Sequence, residues 1–168
     1  MPPRTELERS VLPSLLDRLT DTEPARPVDP ATTFDASARA FRLSVQRDVE
    51  WLLNTRRSIV AVPAQYALLR DSVFEFGIPD TTGLAVGTPE GRKQLQELLQ
   101  EALQRFEPRL AEARVKMVDT ATGSVPQIRF SVEAILRMDP SPERVVFDTV
   151  LEVASGVYDV GTDASPTR

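Results

Sequence analysis

The chain has 168 residues, 41% hydrophobic and 27% charged, a balance that suits one soluble domain with a single core and fits neither a disordered chain nor a membrane-embedded one. It contains no histidine and no cysteine, which excludes Ser-His-Asp and Cys-His nucleophiles, zinc sites built on those ligands, iron–sulfur clusters and disulfides. The formal net charge of −5 argues against a phosphate backbone as main partner, so nucleic-acid binding is not expected.

No apolar run approaches the roughly 20 residues that span a bilayer, and Met1 to Arg9 is charged with no apolar stretch behind it. Neither membrane insertion nor a secretory signal is expected, and the default address is the cytoplasm. Only Lys93 and Lys116 are lysine. The other basic residues are arginines, whose planar fork suits carboxylate pairs at subunit interfaces, although a coding bias explains the same count.

Along the chain, Leu12, Leu15, Leu16 and Leu19 fall at i, i+3, i+4, i+7 and predict a short amphipathic helix over Pro13 to Leu19. Thr20 to Ser37, with prolines at 24, 27 and 30, reads as an extended connection, so this helix either folds back on its own domain or docks on a neighbour. A second helix is predicted from Ser37 or Ala38 to Asn54, with Phe41, Val45, Val49, Leu52 and Leu53 as its apolar stripe. Leu43 and Trp51 sit on another side. Packing between two elements of its own domain is favoured there over a partner-facing tryptophan. Ser58 to Val62 reads as a brief extended stretch, Ala64 to Leu69 as a turn of helix, and Asp71 to Gly77 as a short helix capped by Asp71. Thr88 and Pro89 open a helix carrying Leu95, Leu98, Leu99, Ala102, Leu103 and Phe106, and Pro108 stops it.

After Arg109 the apolar period drops to two. Ala113, Val115 and Met117 mark one strand, Ile128, Phe130, Val132, Ala134 and Leu136 a second, and Val145, Phe147, Thr149, Leu151 and Val153 a third. A hairpin loop over Thr120 to Pro126 and a turn at Asp139 to Pro142 connect them. The fold class is therefore α+β, an antiparallel meander of at least three strands with helices on one face and an N-terminal helical extension. The expected organisation is a short helix and linker over 1–36, one domain over 37–160, and a disordered tail over 161–168.

Four segments in order resemble the TssE family of type VI secretion baseplate subunits and its phage-tail wedge relatives. They are Leu12 to Asp21, Ser44 to Arg56, Ser72 to Asp80, and Phe106-Glu107-Pro108-Arg109-Leu110 with its Glu-Pro-Arg signature. Phe76 stands where relatives more often carry tyrosine. The resemblance runs from about residue 10 to 155. It implies a cytoplasmic structural subunit that joins the wedge proteins TssF and TssG and touches the first ring of a contractile sheath, with sheath subunits contacting it by strand addition at a sheet edge. It also implies that Glu107 and Arg109 pair with partner subunits or lock the helix-to-strand corner that partners grip, and it places Pro108, Arg47, Asp48, Leu15, Leu16 and Leu19 among the interface candidates. No cofactor and no metal are expected.

Two other readings compete. A scaffold or adaptor domain outside secretion has the same fold. Phage-tail relatives have carried a lysozyme label, but a glycosidase needs two carboxyls across a sugar cleft, and the spacing of Glu50, Glu75, Asp80 and Glu107 singles out no pair. Catalysis is not expected.

Overall fold

The computed structural model describes residues 10–20, 24–25, 32–70, 72–118, 127–153 and 155–162. Two helices supply one layer. Thr33 caps α2 (Phe34–Asn54) by accepting the Ala36 N–H, and Thr88 caps α4 (Pro89–Phe106) by accepting the Gly91 N–H, with Pro89 at the first helical position. The Thr33 cap explains why α2 starts at Phe34 rather than at Ser37 or Ala38. Two shorter helices are α1 (Leu15–Leu19) and α3 (Ala67–Arg70).

The second layer is a four-stranded antiparallel sheet in the order β1 (Leu110–Val118), β2 (Gln127–Leu136), β3 (Glu143–Glu152) and β4 (Val157–Thr162). Alternation turns Phe130, Val132, Ala134 and Leu136 of β2 and Val145, Phe147, Thr149 and Leu151 of β3 toward the helices. There they meet Val45, Val49, Leu52 and Leu53 of α2 and Leu95, Leu99 and Leu103 of α4. Each fully buried side chain of this size is worth about 1.5–3 kcal/mol relative to exposure, so this single interlayer core holds the fold. The opposite face, with Arg129, Arg144 and Asp148, is solvated, as an antiparallel sheet allows.

Several local expectations are corrected. The tail expectation begins at 161, yet Gly161 and Thr162 complete β4, a strand the sequence reading lacks; its Tyr158 and Val160 alternate into the core, but six residues are too few to stand out as a period. β3 ends at Glu152, leaving Val153 off the core. Residues 58–62 form no strand. The pairing falls instead between Arg56 and Ile78, where the Arg57 N–H donates to the Ile78 carbonyl at 2.8 Å and the Ile78 N–H to the Thr55 carbonyl at 2.9 Å. The short helix expected over Asp71 to Gly77 is a 3-10 turn, Val73–Glu75, capped by Ser72, and Asp71 lies outside the described residues. So do the hairpin loop 119–126 and the end of the tail, 163–168. Gly77 follows at φ 107°, a left-handed conformation in which an added Cβ would lie 2.3 Å from the Thr55 carbonyl oxygen.

Candidate functional site

Pro108 has no N–H and disfavours helical backbone before it, so α4 ends with Glu107 as its C-cap, the Glu107 N–H donating to the Leu103 carbonyl. The chain then turns directly into β1, with the Leu110 N–H donating to the Glu107 carbonyl at 3.0 Å and the Arg137 N–H to the Arg109 carbonyl at 2.8 Å. This fixes the Arg109 side chain over Glu107. Nε donates to Glu107 Oε1 at 2.6 Å and Nη2 to Oε2, a two-point fork, and Nη2 also reaches Asp48 Oδ2 on α2 at 2.8 Å.

The contacts continue across α2. Asp48 Oδ1 accepts from Arg47 Nη2 at 2.8 Å, and the same Nη2 donates to Asp17 Oδ1 on α1 at 2.8 Å. Ser14 closes the series by donating to Asp17 Oδ2 at 2.6 Å while accepting the Asp17 N–H. A relay Glu107–Arg109–Asp48–Arg47–Asp17–Ser14 thus ties the α4–β1 corner, α2 and α1 together. Burial works against the charge of Arg109, but the hydrogen bonds to Glu107 and Asp48 outweigh it and hold the guanidinium firmly protonated. Burial likewise pushes the Asp17 carboxyl up, and the bonds from Ser14 and Arg47 more than reverse this, leaving it below its ordinary 3.8.

The structure therefore brings Glu107, Arg109, Arg47 and Asp48 into one cluster, with Pro108 exposed at its corner. The carboxylate partners of Arg109 are its own chain's, which favours the locked corner over a guanidinium waiting for a partner's acid. The leucine helix does fold back, but by its polar edge: Asp17 holds Arg47, Val11 is buried, and the Val11 N–H donates to Ser37 Oγ at 3.0 Å. Its leucines face outward, Leu12, Leu15 and Leu19 at 70–75% exposure and Leu16 at 56%.

Leu16 overlooks a groove of about 420 Å³ whose other apolar walls are Trp51, Leu52, Phe76 and Phe106 and whose polar end is Asp48, Glu107 and Arg109. Phe76 and Phe106 meet edge to face, 5.5 Å between ring centres. Trp51 corrects an expectation. It is 52% exposed, with the Arg47 guanidinium 4.9 Å above its ring, because it lies off the core-facing stripe of α2 that runs through Phe41, Val45, Val49, Leu52 and Leu53; Leu43 is open for the same reason.

The carboxylates of this region are paired with guanidiniums. Asp48 and Glu107 meet through Arg109, and buried Glu75 lies 3.3 Å from Arg57 and 3.9 Å from Arg105. Among the described residues no group of acids is placed to hold a metal ion. Ser14 and Asp17 are missing from the sequence-based candidates, although a serine three residues before an acid at a helix start is a capping signal.

A family model described as baseplate wedge protein gp25 matches residues 39–141, a span that takes in most of α2, the 3-10 turn, α4, the Glu107–Arg109 corner, β1 and β2. The chain belongs to the baseplate wedge protein gp25 family. No curated protein matches it. As a gp25-family member it has a phage-tail-like structural role in a baseplate, which carries contacts with other baseplate or tail proteins and is compatible with the absence of catalysis. The outward leucines of α1 and the strand β4 lie outside the gp25 match. No helix among the described residues is long and apolar enough to cross a membrane.

Proposed function

We propose that this chain is a TssE-type wedge subunit of a type VI secretion baseplate, working in the cytoplasm. It joins TssF and TssG and supports assembly of the first sheath ring, with sheath segments adding as strands to its sheet. Residues from α2 to β4 form the wedge domain, and α1 is a docking extension. The observation that carries this reading is the groove: an exposed tryptophan and outward leucines beside a corner that ion pairs hold rigid. Exposed aromatic anchors next to fixed polar groups are the usual make-up of binding hot spots. The polar end has two carboxylates, Asp48 and Glu107, against one guanidinium, Arg109, so it keeps one net negative charge. A partner segment with an apolar anchor beside a lysine or arginine fits that surface.

Deletion of the gene in cells carrying a fluorescent sheath subunit tests the proposal. Sheath assembly is expected to stop and to return with the intact chain. Normal sheath assembly without the chain overturns the reading.

A further inference from the structure

α1 lies on the body of the protein by its polar side. None of its residues is buried, and among the described residues the side-chain bond that ties it to α2 is the ion pair of Asp17 with Arg47 at 2.8 Å. At 3.6 residues per turn each residue turns a helix by about 100°, so Leu15, Leu16 and Leu19 share one side and Asp17 stands nearly opposite its centre. Leu16, one residue from Asp17, reaches the mouth of the groove; Leu15 and Leu19 do not line it. An amphipathic helix normally buries its apolar side, and here that side faces water next to an apolar groove.

We infer that α1 is a strap that closes over the groove when a partner segment fills it: Asp17 releases Arg47, the helix rolls, and its leucines cover the bound apolar anchor. The inference rests on the docking groove proposed above and names how that site is regulated. The open groove, about 420 Å³, is larger than one leucine side chain fills, so a roll in the free chain exchanges the ion pair for incomplete burial. An anchor lying against Trp51, Phe76 and Phe106 gives the leucines an apolar floor. The Arg47 side chain is 39% exposed, and a pair so open to water contributes much less than the burial of a leucine. The balance therefore changes sign when the groove is occupied.

Closure leaves neither charge stranded. Arg47 keeps Asp48 through Nε at 3.1 Å and Nη2 at 2.8 Å and stays over the Trp51 ring. Asp17 keeps the Ser14 hydroxyl at 2.6 Å, which moves with it as the cap of the same helix. The pivot is defined as well. Val11 is buried and its N–H donates to Ser37 Oγ at 3.0 Å, while Leu12 and Pro13, between that anchor and the helix, are exposed. Pro13 fixes its own φ and holds Leu12 extended, so the segment swings about Val11 as a stiff arm.

The chain has no native cysteine, so nitroxide labels go where they are placed. Arg18→Cys and Gln94→Cys, exposed positions on α1 and α4, report the distance between the two helices by pulsed electron resonance in the full chain, with and without a purified TssF–TssG complex. The expected result is a distance that shifts on binding. Asp17→Asn is expected to move the free chain part-way to the bound distance and to tighten binding by up to about 5-fold, the strength of a water-exposed ion pair. Leu15→Ala with Leu19→Ala is expected to reduce both the shift and the affinity. Binding at an unchanged distance overturns the strap and leaves α1 a fixed wall of the groove. Weaker binding by a folded Asp17→Asn variant overturns it too, because the docked helix is then the competent form. A full shift at parental affinity in the double leucine variant overturns the covering role of the leucines. Failure of the parent chain to bind the complex overturns the docking reading itself and the inference with it.

Discussion

Replacing Arg109 by alanine removes the guanidinium from Glu107, whose side chain is only 5% exposed, and from Asp48. Breaking a buried ion pair on one side costs about 3–5 kcal/mol, chiefly because the remaining charge is buried without a partner. Arg109 and Asp48 each keep about a quarter of their side-chain surface in water, at 24% and 23%, which places the expected loss at about 2–3 kcal/mol. At about 2–4 °C per kcal/mol for a chain of this size, the melting temperature falls by about 4–12 °C. Adding Glu107→Gln removes the stranded charge, so the double variant is expected to melt above Arg109→Ala alone. Differential scanning calorimetry of the parent, both single variants and the double variant supplies the cycle. A parent-like melting temperature for Arg109→Ala would refute the locked corner and return Arg109 to the role of a partner-facing cation.

Three other outcomes follow from local geometry. Gly77→Ala combines a left-handed φ with a Cβ 2.3 Å from the Thr55 carbonyl oxygen and is expected to lower stability by at least about 1–3 kcal/mol, read from the urea midpoint. Glu112→Gly releases a non-glycine residue from φ 53° in an edge bulge and is expected to raise stability by about 0.5–1 kcal/mol; a lower midpoint would mean that the Glu112 side chain supports the bulge. Asp17 is held below its ordinary 3.8 in the folded chain, so its contribution to docking α1 is present above that pH and disappears as pH falls through the lowered value. Amide shifts of Leu15 to Leu19 are therefore expected to move in acid below pH 3.8 while the sheet's stay fixed, and an α1 that titrates only with global unfolding contradicts the Asp17–Arg47 tether.

The parts of this fold legible in the sequence are those written locally. Thr88-Pro89 and Pro108 bound α4 by cap and breaker chemistry, and the alternation through Ile128 to Leu136 sets both the strand and its buried face. The relay was only half legible. Glu107 and Arg109 are two residues apart, but Arg109 meets Asp48 across 61 positions and Arg47 meets Asp17 across 30, and no periodicity encodes which acid a guanidinium reaches through the fold. Trp51 reads as core from the sequence yet is half-exposed, because an apolar residue off the main stripe marks a second contact without saying whose surface supplies it. The glutamine amides of α4 that bond to the β1 backbone went unread for a related reason. Gln96, Gln100 and Gln104 recur every four residues beside an apolar stripe, which is also the pattern of an ordinary solvated helix face.

The central claim, that the groove between α1 and the Glu107–Arg109 corner is where wedge partners dock, is tested most directly by measuring the binding of the purified full chain to a TssF–TssG complex. Trp51→Ala, at a half-exposed residue, is expected to leave the melting temperature near that of the parent and to weaken binding by about 30-fold or more, the loss of a hot spot worth at least about 2 kcal/mol. Binding equal to the parent's in both Trp51→Ala and Leu16→Ala would contradict the account.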